Sequence, residues 1–183
     1  MSRLIFGISI IFTIFIIAVK SQNCGPTPQV LPETCCSIPQ FFDDTDLIKC
    51  KTARTSRAKR FATSRMELGT CYLDCVFETT NITFSGGRVL NTHVLLKILL
   101  KETPNEPQAT QVITNAVSQC INDLNTGVLK IRNPTVSNCS TIPSAIMICI
   151  HKNFFMNCPT NRFFNSLPCM QLKDYLKRCP IGI

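Results

Sequence analysis

The sequence predicts an all-α protein stapled by disulfides, and three observations carry that expectation. Twelve cysteines recur from Cys24 to Cys179. Apolar residues return at spacings of three and four in several separate stretches, the signature of helices with one buried face. No strand-like alternation runs for a comparable length, and there is no internal repeat. The 183 residues suffice for one domain with a core of useful size. Only 16% of them are charged, which argues against a disordered chain. An even count of closely spaced cysteines belongs to an oxidising compartment, because reducing cytosol does not maintain such a framework.

The first residues predict export. Arg3 supplies a positive start and Leu4–Val19 carries no charge. Val19 and Ser21 are the small residues that suit cleavage near Ser21, so residues 1–21 are read as a secretory signal. The alternative is a membrane anchor, for which the run is short, and no later segment is apolar for long enough to span a bilayer. Cleavage removes Arg3 and Lys20 and no acid, lowering the net charge from +8 to +6. The basic balance favours anionic surfaces but lacks the aromatic–basic interleaving of single-strand readers, so no nucleic acid is expected.

The expected mature domain, residues 22–183, begins with an irregular arm over 22–42 containing Pro26, Pro28, Pro32 and Pro39. Adjacent Cys35 and Cys36 do not readily pair with each other, because the geometry across one peptide bond is strained. They should tie the arm to two different places. Asp43–Ser56 opens with acids and closes with bases, matching a helix dipole. Ser64 and Glu67 match a capping box ahead of a helical stripe through Leu68, Cys71, Tyr72, Cys75 and Val76. Cys71 and Cys75 therefore share one face. Gly86-Gly87 breaks the chain, and Thr92 is the expected cap of a helix through Leu95 and Leu99 that Pro104 and Pro107 interrupt. Another helix carries Val112, Ile113, Ala116, Val117 and Cys120 and stops near Gly127. Residues 130–138 read as loop. Pro143 starts a helix with Ile146, Met147, Cys149, Ile150 and Phe154, and Pro168 a last one ending near Cys179 within a C-terminal extension, 159–183.

The C-x3-C of Cys71 and Cys75 and the C-x8-C-P of Cys149, Cys158 and Pro159, with helical stripes between them, resemble the insect odorant-binding proteins. The additional cysteines and the proline after Cys158 resemble their Plus-C subgroup. The resemblance implies a compact bundle of about six or more helices around an apolar cavity, held by six disulfides. By analogy, Cys50, Cys71, Cys75, Cys120, Cys149 and Cys158 take the places of the six shared cysteines. The implied bonds are Cys50–Cys75, Cys71–Cys149 and Cys120–Cys158. Cys24, Cys35, Cys36, Cys139, Cys169 and Cys179 remain for three further bonds that sequence does not assign. Covalent staples let a small protein tolerate a cavity that packing alone would penalise.

Leu95, Leu99, Val112, Ile113, Ala116, Ile146, Met147, Ile150 and Phe154 are the expected ligand-binding side chains, against the plainer reading that they are ordinary core. His93 and His151 invite a ribonuclease reading, weighed against two unrelated histidines; His151 would alternatively tune ligand release with pH. A structural zinc would need a second short cysteine pair or a histidine cluster, and only Cys71 and Cys75 have suitable spacing, so disulfides are expected and no metal or cofactor. Arg57-Ala-Lys-Arg60 suits a processing protease, against a solvated basic stretch. Asn81-Ile-Thr83 and Asn138-Cys-Ser140 are N-glycosylation sequons.

The resemblance implies a secreted, non-enzymatic carrier that binds a small hydrophobic molecule in an interior pocket. The ligand would be an odorant or pheromone-like compound, delivered to an olfactory receptor. The alternative is a secreted interaction or defence protein without a cavity. The cysteine-bearing ends would close the pocket or bridge a homodimer.

Overall fold

A computed structural model describes residues 25–26, 28–51, 65–84, 89–131, 135–136 and 138–179, with backbone alone at 65–68 and 135–136. The signal segment, Cys24, the basic stretch 54–60, Ser64 and Gly86-Gly87 lie outside the described residues. The described chain is all-α, with seven helices and two minimal hairpins. The helices are α1 (Pro32–Cys35), α2 (residues 44–51), α3 (Arg65–Thr79), α4 (Thr92–Leu99), α5 (Pro107–Asn125), α6 (Ile142–Met156) and α7 (Leu167–Arg178). Strand β1 (Thr83–Phe84) pairs antiparallel with β2 (Val89–Leu90), and β3 (Thr135–Val136) with β4 (Cys139–Ser140). Among these helices, none is long and apolar enough to cross a membrane.

Local chemistry sets the boundaries. Asn91, rather than Thr92, caps α4: its side chain accepts the Val94 N–H at 3.1 Å, one of the donors that the first turn leaves unpaired. Pro107 does not merely interrupt. It opens α5, where its missing N–H costs nothing and its fixed φ suits the first turn. Gly127, at φ +73°, follows the last turn of α5 in the left-handed region that glycine enters without a Cβ penalty. The N-terminal arm is not wholly irregular, since Pro32 starts the single turn of α1. The region expected as loop before Cys139 supplies strand β3. Two-residue strands carry too little alternation to leave a sequence signal.

The core centres on α6. Its side chains at Ala145, Ile146, Met147, Cys149, Ile150, Phe154 and Phe155 are buried over much of its circumference. A helix apolar on most sides must be covered on most sides, and α5 and α3 pack against it. Helix α5 presents the narrower stripe Ile113, Ala116, Val117 and Cys120, spaced for one face. Phe77 and Ile82 close the core below the first hairpin, and the rings of Phe42 and Phe77 lie 6.0 Å apart.

Five disulfides are described: Cys35–Cys169, Cys36–Cys158, Cys50–Cys75, Cys71–Cys139 and Cys120–Cys149. Cys179 is disulfide-bonded as well. Two implied bonds are corrected. Cys71 pairs with Cys139 rather than Cys149, and Cys120 with Cys149 rather than Cys158. The interlocked order is unchanged: first with third, second with fifth, fourth with sixth. The set is displaced by one cysteine at its C-terminal end, so Cys139 belongs to it and Cys158 does not. The reason is geometric. Cys139 lies on β4, which packs on α3 beside Cys71. Cys149 is in the middle of α6 where that helix faces α5, opposite Cys120. Cys158 lies beyond the C-terminus of α6, where the arm returns.

Cys35 and Cys36 do bind two different places. The arm here runs antiparallel to residues 162–164, with Ser37 N–H donating to Arg162 O at 2.9 Å and Phe164 N–H to Cys35 O at 2.8 Å. Arg162 completes the junction with two charge-assisted bonds to Glu106, of 2.6 Å from Nε and 2.5 Å from Nη2, and a third to Ser37 O at 2.7 Å.

Peptide mapping of the oxidised protein should recover linked fragments joining Cys71 to Cys139 and Cys120 to Cys149. Recovery of Cys71 with Cys149 would reverse the correction. Replacing Cys35 and Cys169 together by Ala should cost about 2–4 kcal/mol in denaturant unfolding, because their bond closes a long loop.

Candidate functional site

Helices α4, α5 and α6 and the end of α3 converge on the apolar interior. Helix α4 contributes Leu95 and Leu99, both fully buried. Helix α5 contributes Ile113 and Ala116. Helix α6 contributes Ile146, Met147, Ile150 and Phe154. All eight join one contiguous cluster with Phe77 and Ile82 from the α3 end. Val112, the ninth expected residue, is half-buried and packs at the edge of the cluster.

Val112 instead lines an open cleft of about 480 Å³ between the first turns of α5 and the chain leaving α6. Pro107, Gln108 and Gln111 form one wall; Asn157, Cys158, Pro159 and Thr160 form the other. Sequence reasoning missed this cleft. Its only advance signals were Pro107 and the Cys158-Pro159 step, and these do not reveal that the two segments meet.

Several polar groups near the core are held in hydrogen bonds. Asn153 Nδ2 donates to the Cys149 carbonyl at 3.0 Å and lies over the Cys120–Cys149 bond, 3.4 Å from Cys120 Sγ. Asp74, one residue before Cys75, accepts the Ser140 N–H through Oδ2 at 2.9 Å, reinforcing the attachment of β4 to α3. Thr79 and Thr80 return their hydroxyls to carbonyls of their own helix.

The two histidines occupy different settings. His93 is exposed in the first turn of α4. His151 is half-buried on α6, its ring 5.4 Å from that of Phe41. Burial pushes the His151 imidazole below its ordinary value, and the negative charge of Glu33 opposes this weakly. Among the described residues no three His, Cys, Asp or Glu side chains are grouped to hold a metal ion. Asn81 and Asn138 are both exposed and both left-handed, at φ 57° and 64°, a conformation asparagine tolerates.

An apolar interior walled by helices, crossed by interlocked disulfides, places the chain among the disulfide-stapled helical proteins. Comparison with known proteins resolves the family. Residues 39–175 match the family described as AgamOBP47-like, and the chain belongs to this family of odorant-binding proteins. Over 163 residues it is 24% identical to General odorant-binding protein 67 of Anopheles gambiae, covering 85% of this chain and 77% of that protein. The family is one of binding proteins.

Because burial favours neutral His151 in the folded protein, the unfolded chain binds the proton more tightly. This contribution to stability is complete above pH 6.5 and declines as the pH falls from there through the lower folded value. Glu106, held below the usual carboxylate range by Arg162, loses its contribution only at more acid pH, below 4.5. Urea unfolding of His151→Gln across this range should show a flatter profile between the two regions than the native protein. An unchanged profile would place His151 in water.

Proposed function

We propose that the chain is a secreted carrier which binds a small hydrophobic molecule in its interior and solubilises it for delivery to a receptor. The single observation that carries the reading is the convergence of Leu95, Leu99, Ile113, Ala116, Ile146, Met147, Ile150 and Phe154 in one apolar cluster, tied covalently across the α5–α6 contact. Family membership supports a binding role, and the name of the Anopheles gambiae relative supports an odorant-like ligand. Transfer of apolar ligand area from water contributes roughly 25 cal/mol per Å², offset by the cost of association. No bond needs to be made or broken, so the reading is of a carrier and not an enzyme. Export fits the density of disulfides. The arm bonds Cys35–Cys169 and Cys36–Cys158 are compatible with the Plus-C subgroup. Exposed Asn81 and Asn138 are the proposed glycan acceptors.

A second reading rests on three exposed apolar residues, Phe164 just before α7 and Leu167 and Met170 in its first turn. Such a group suits contact with another protein. One experiment separates the two. A fluorescent apolar probe should bind the oxidised protein saturably near one site, be displaced by volatile hydrophobic compounds, and be lost when the disulfides are reduced. A folded protein that binds no such probe would favour the protein-interaction reading.

A further inference from the structure

The fold treats its two sequons differently. Asn81 lies two residues before β1 and Asn138 one residue before β4, and both are exposed and left-handed. A glycan on either amide would project into solvent. Transfer also requires the hydroxyl residue two positions on, because that residue is part of the recognised motif. In both sequons that residue is buried: Thr83 is 3% exposed and Ser140 is 4% exposed. Modification therefore has to precede closure of the local structure. What decides the outcome is which groups close each sequon and when they are synthesised.

The closing partners of the first sequon lie downstream. Thr83 pairs with Leu90 across the hairpin, and the Ile82 carbonyl accepts the Asn91 N–H at 2.7 Å. From upstream, the Ile82 N–H is held by Phe77 O at 2.8 Å. The segment stays open until β2 and Asn91 have followed, about one second at ordinary elongation rates.

The closing partners of the second sequon lie upstream. Cys139 is bonded to Cys71, and the Ser140 N–H donates to Asp74 Oδ2 at 2.9 Å. Across the hairpin, Val136 pairs with Cys139 and Thr135 with Ser140. All four partners are already made when Asn138 appears. Ser140 Oγ then accepts the Ile142 N–H at 3.3 Å, tying the last residue of the sequon to the start of α6.

We infer that the Cys71–Cys139 disulfide governs N-glycosylation of Asn138. Bond and glycan compete for the same tripeptide, so Asn81 is modified in most chains and Asn138 only in those whose bond closes late. This rests on the proposed export of the chain and on the two asparagines as its glycan acceptors. Glycan transfer joins Asn138 Nδ2 to the anomeric carbon of a lipid-pyrophosphate-linked oligosaccharide. The bond from that carbon to the phosphate oxygen breaks, and the amide gives up one proton. Disulfide closure passes two protons and two electrons from the thiols of Cys71 and Cys139 to the disulfide of an oxidoreductase, by exchange over seconds or longer. Asn138 is exposed with the bond in place, so the finished fold accepts either product and the order of events selects. The exported protein is then a mixture of two glycoforms with one fold.

The test expresses the full chain in a eukaryotic secretory host and reads the occupancy of each asparagine by mass spectrometry after enzymatic deglycosylation in heavy-oxygen water. Retained and exported chains are pooled, so a variant that fails to fold still answers. Native protein should carry a glycan at Asn81 in most chains and at Asn138 in a minority. Cys71→Ser should raise Asn138 to the level of Asn81 and leave Asn81 unchanged. A permeant thiol reductant applied to the native chain during synthesis should do the same. Replacing Cys35 and Cys169 together by Ala, which opens the arm rather than this hairpin, should leave Asn138 low. Equal occupancy of both asparagines in native protein would overturn the inference. So would a rise at Asn138 in the arm variant, which would assign the effect to slowed folding in general. An Asn138 that stays low in Cys71→Ser but rises in Cys139→Ser, which keeps the sequon, would implicate the cysteine itself and overturn the role of the bond. Absence of glycan from Asn138 alone in every variant overturns the competition and leaves Asn81 an acceptor. Absence from both asparagines overturns the acceptor reading as well.

Discussion

The fold depends on one constraint: two half-cystines one turn apart on α3, pulled in different directions. Cys75 holds α2 through Cys50, and Cys71 holds β4 through Cys139. Helical geometry puts both sulfurs on one side of α3, so α2 and the second hairpin are brought to neighbouring places on the same helix. Because β4 leads directly into α6, the Cys71–Cys139 bond also sets where α6 enters the core. The third bond, Cys120–Cys149, then fastens α6 to α5 at mid-helix. The three are interlocked in sequence, and together they restrict the unfolded chain across the central helices.

The cysteines outside this set act on the periphery. Cys35–Cys169 and Cys36–Cys158 fold the N-terminal arm against α7 and the turn after α6, so the first and last parts of the described chain lie side by side. Arg162 fills the corner they leave, joining the arm at Ser37 to the start of α5 at Glu106. Its side chain is 15% exposed and that of Glu106 is 32% exposed. The pair therefore retains more of its attraction than a fully solvated one, and part of it is still screened by water. The open cleft beside Val112 is a by-product of the same junction, since its two walls are the segments that begin and end there.

An interior of this kind has consequences for recognition. Aliphatic and aromatic side chains from α4, α5 and α6 offer area without direction. Direction has to come from polar atoms that face inward, and of those Asp74 Oδ2 and Asn153 Nδ2 are committed to backbone and disulfide contacts.

Much of this was legible in the sequence. The periodicity of apolar residues located α4, α5, α6 and α7, because a helix with one buried face must repeat near 3.6 residues. Eight of the nine residues expected to bind ligand lie together in the buried cluster, and Val112 lies at its edge; the stripe included it because half-buried flank and buried centre look alike in a period. The fate of adjacent Cys35 and Cys36 followed from the geometry of a single peptide bond. What only the tertiary structure decided was partnership across distance. Cys139 and Cys149 look interchangeable along the chain, and which of them meets Cys71 depends on where β4 and α6 pack. Local pattern determines which face of an element is apolar; the packing of elements from distant parts of the chain determines what that face meets.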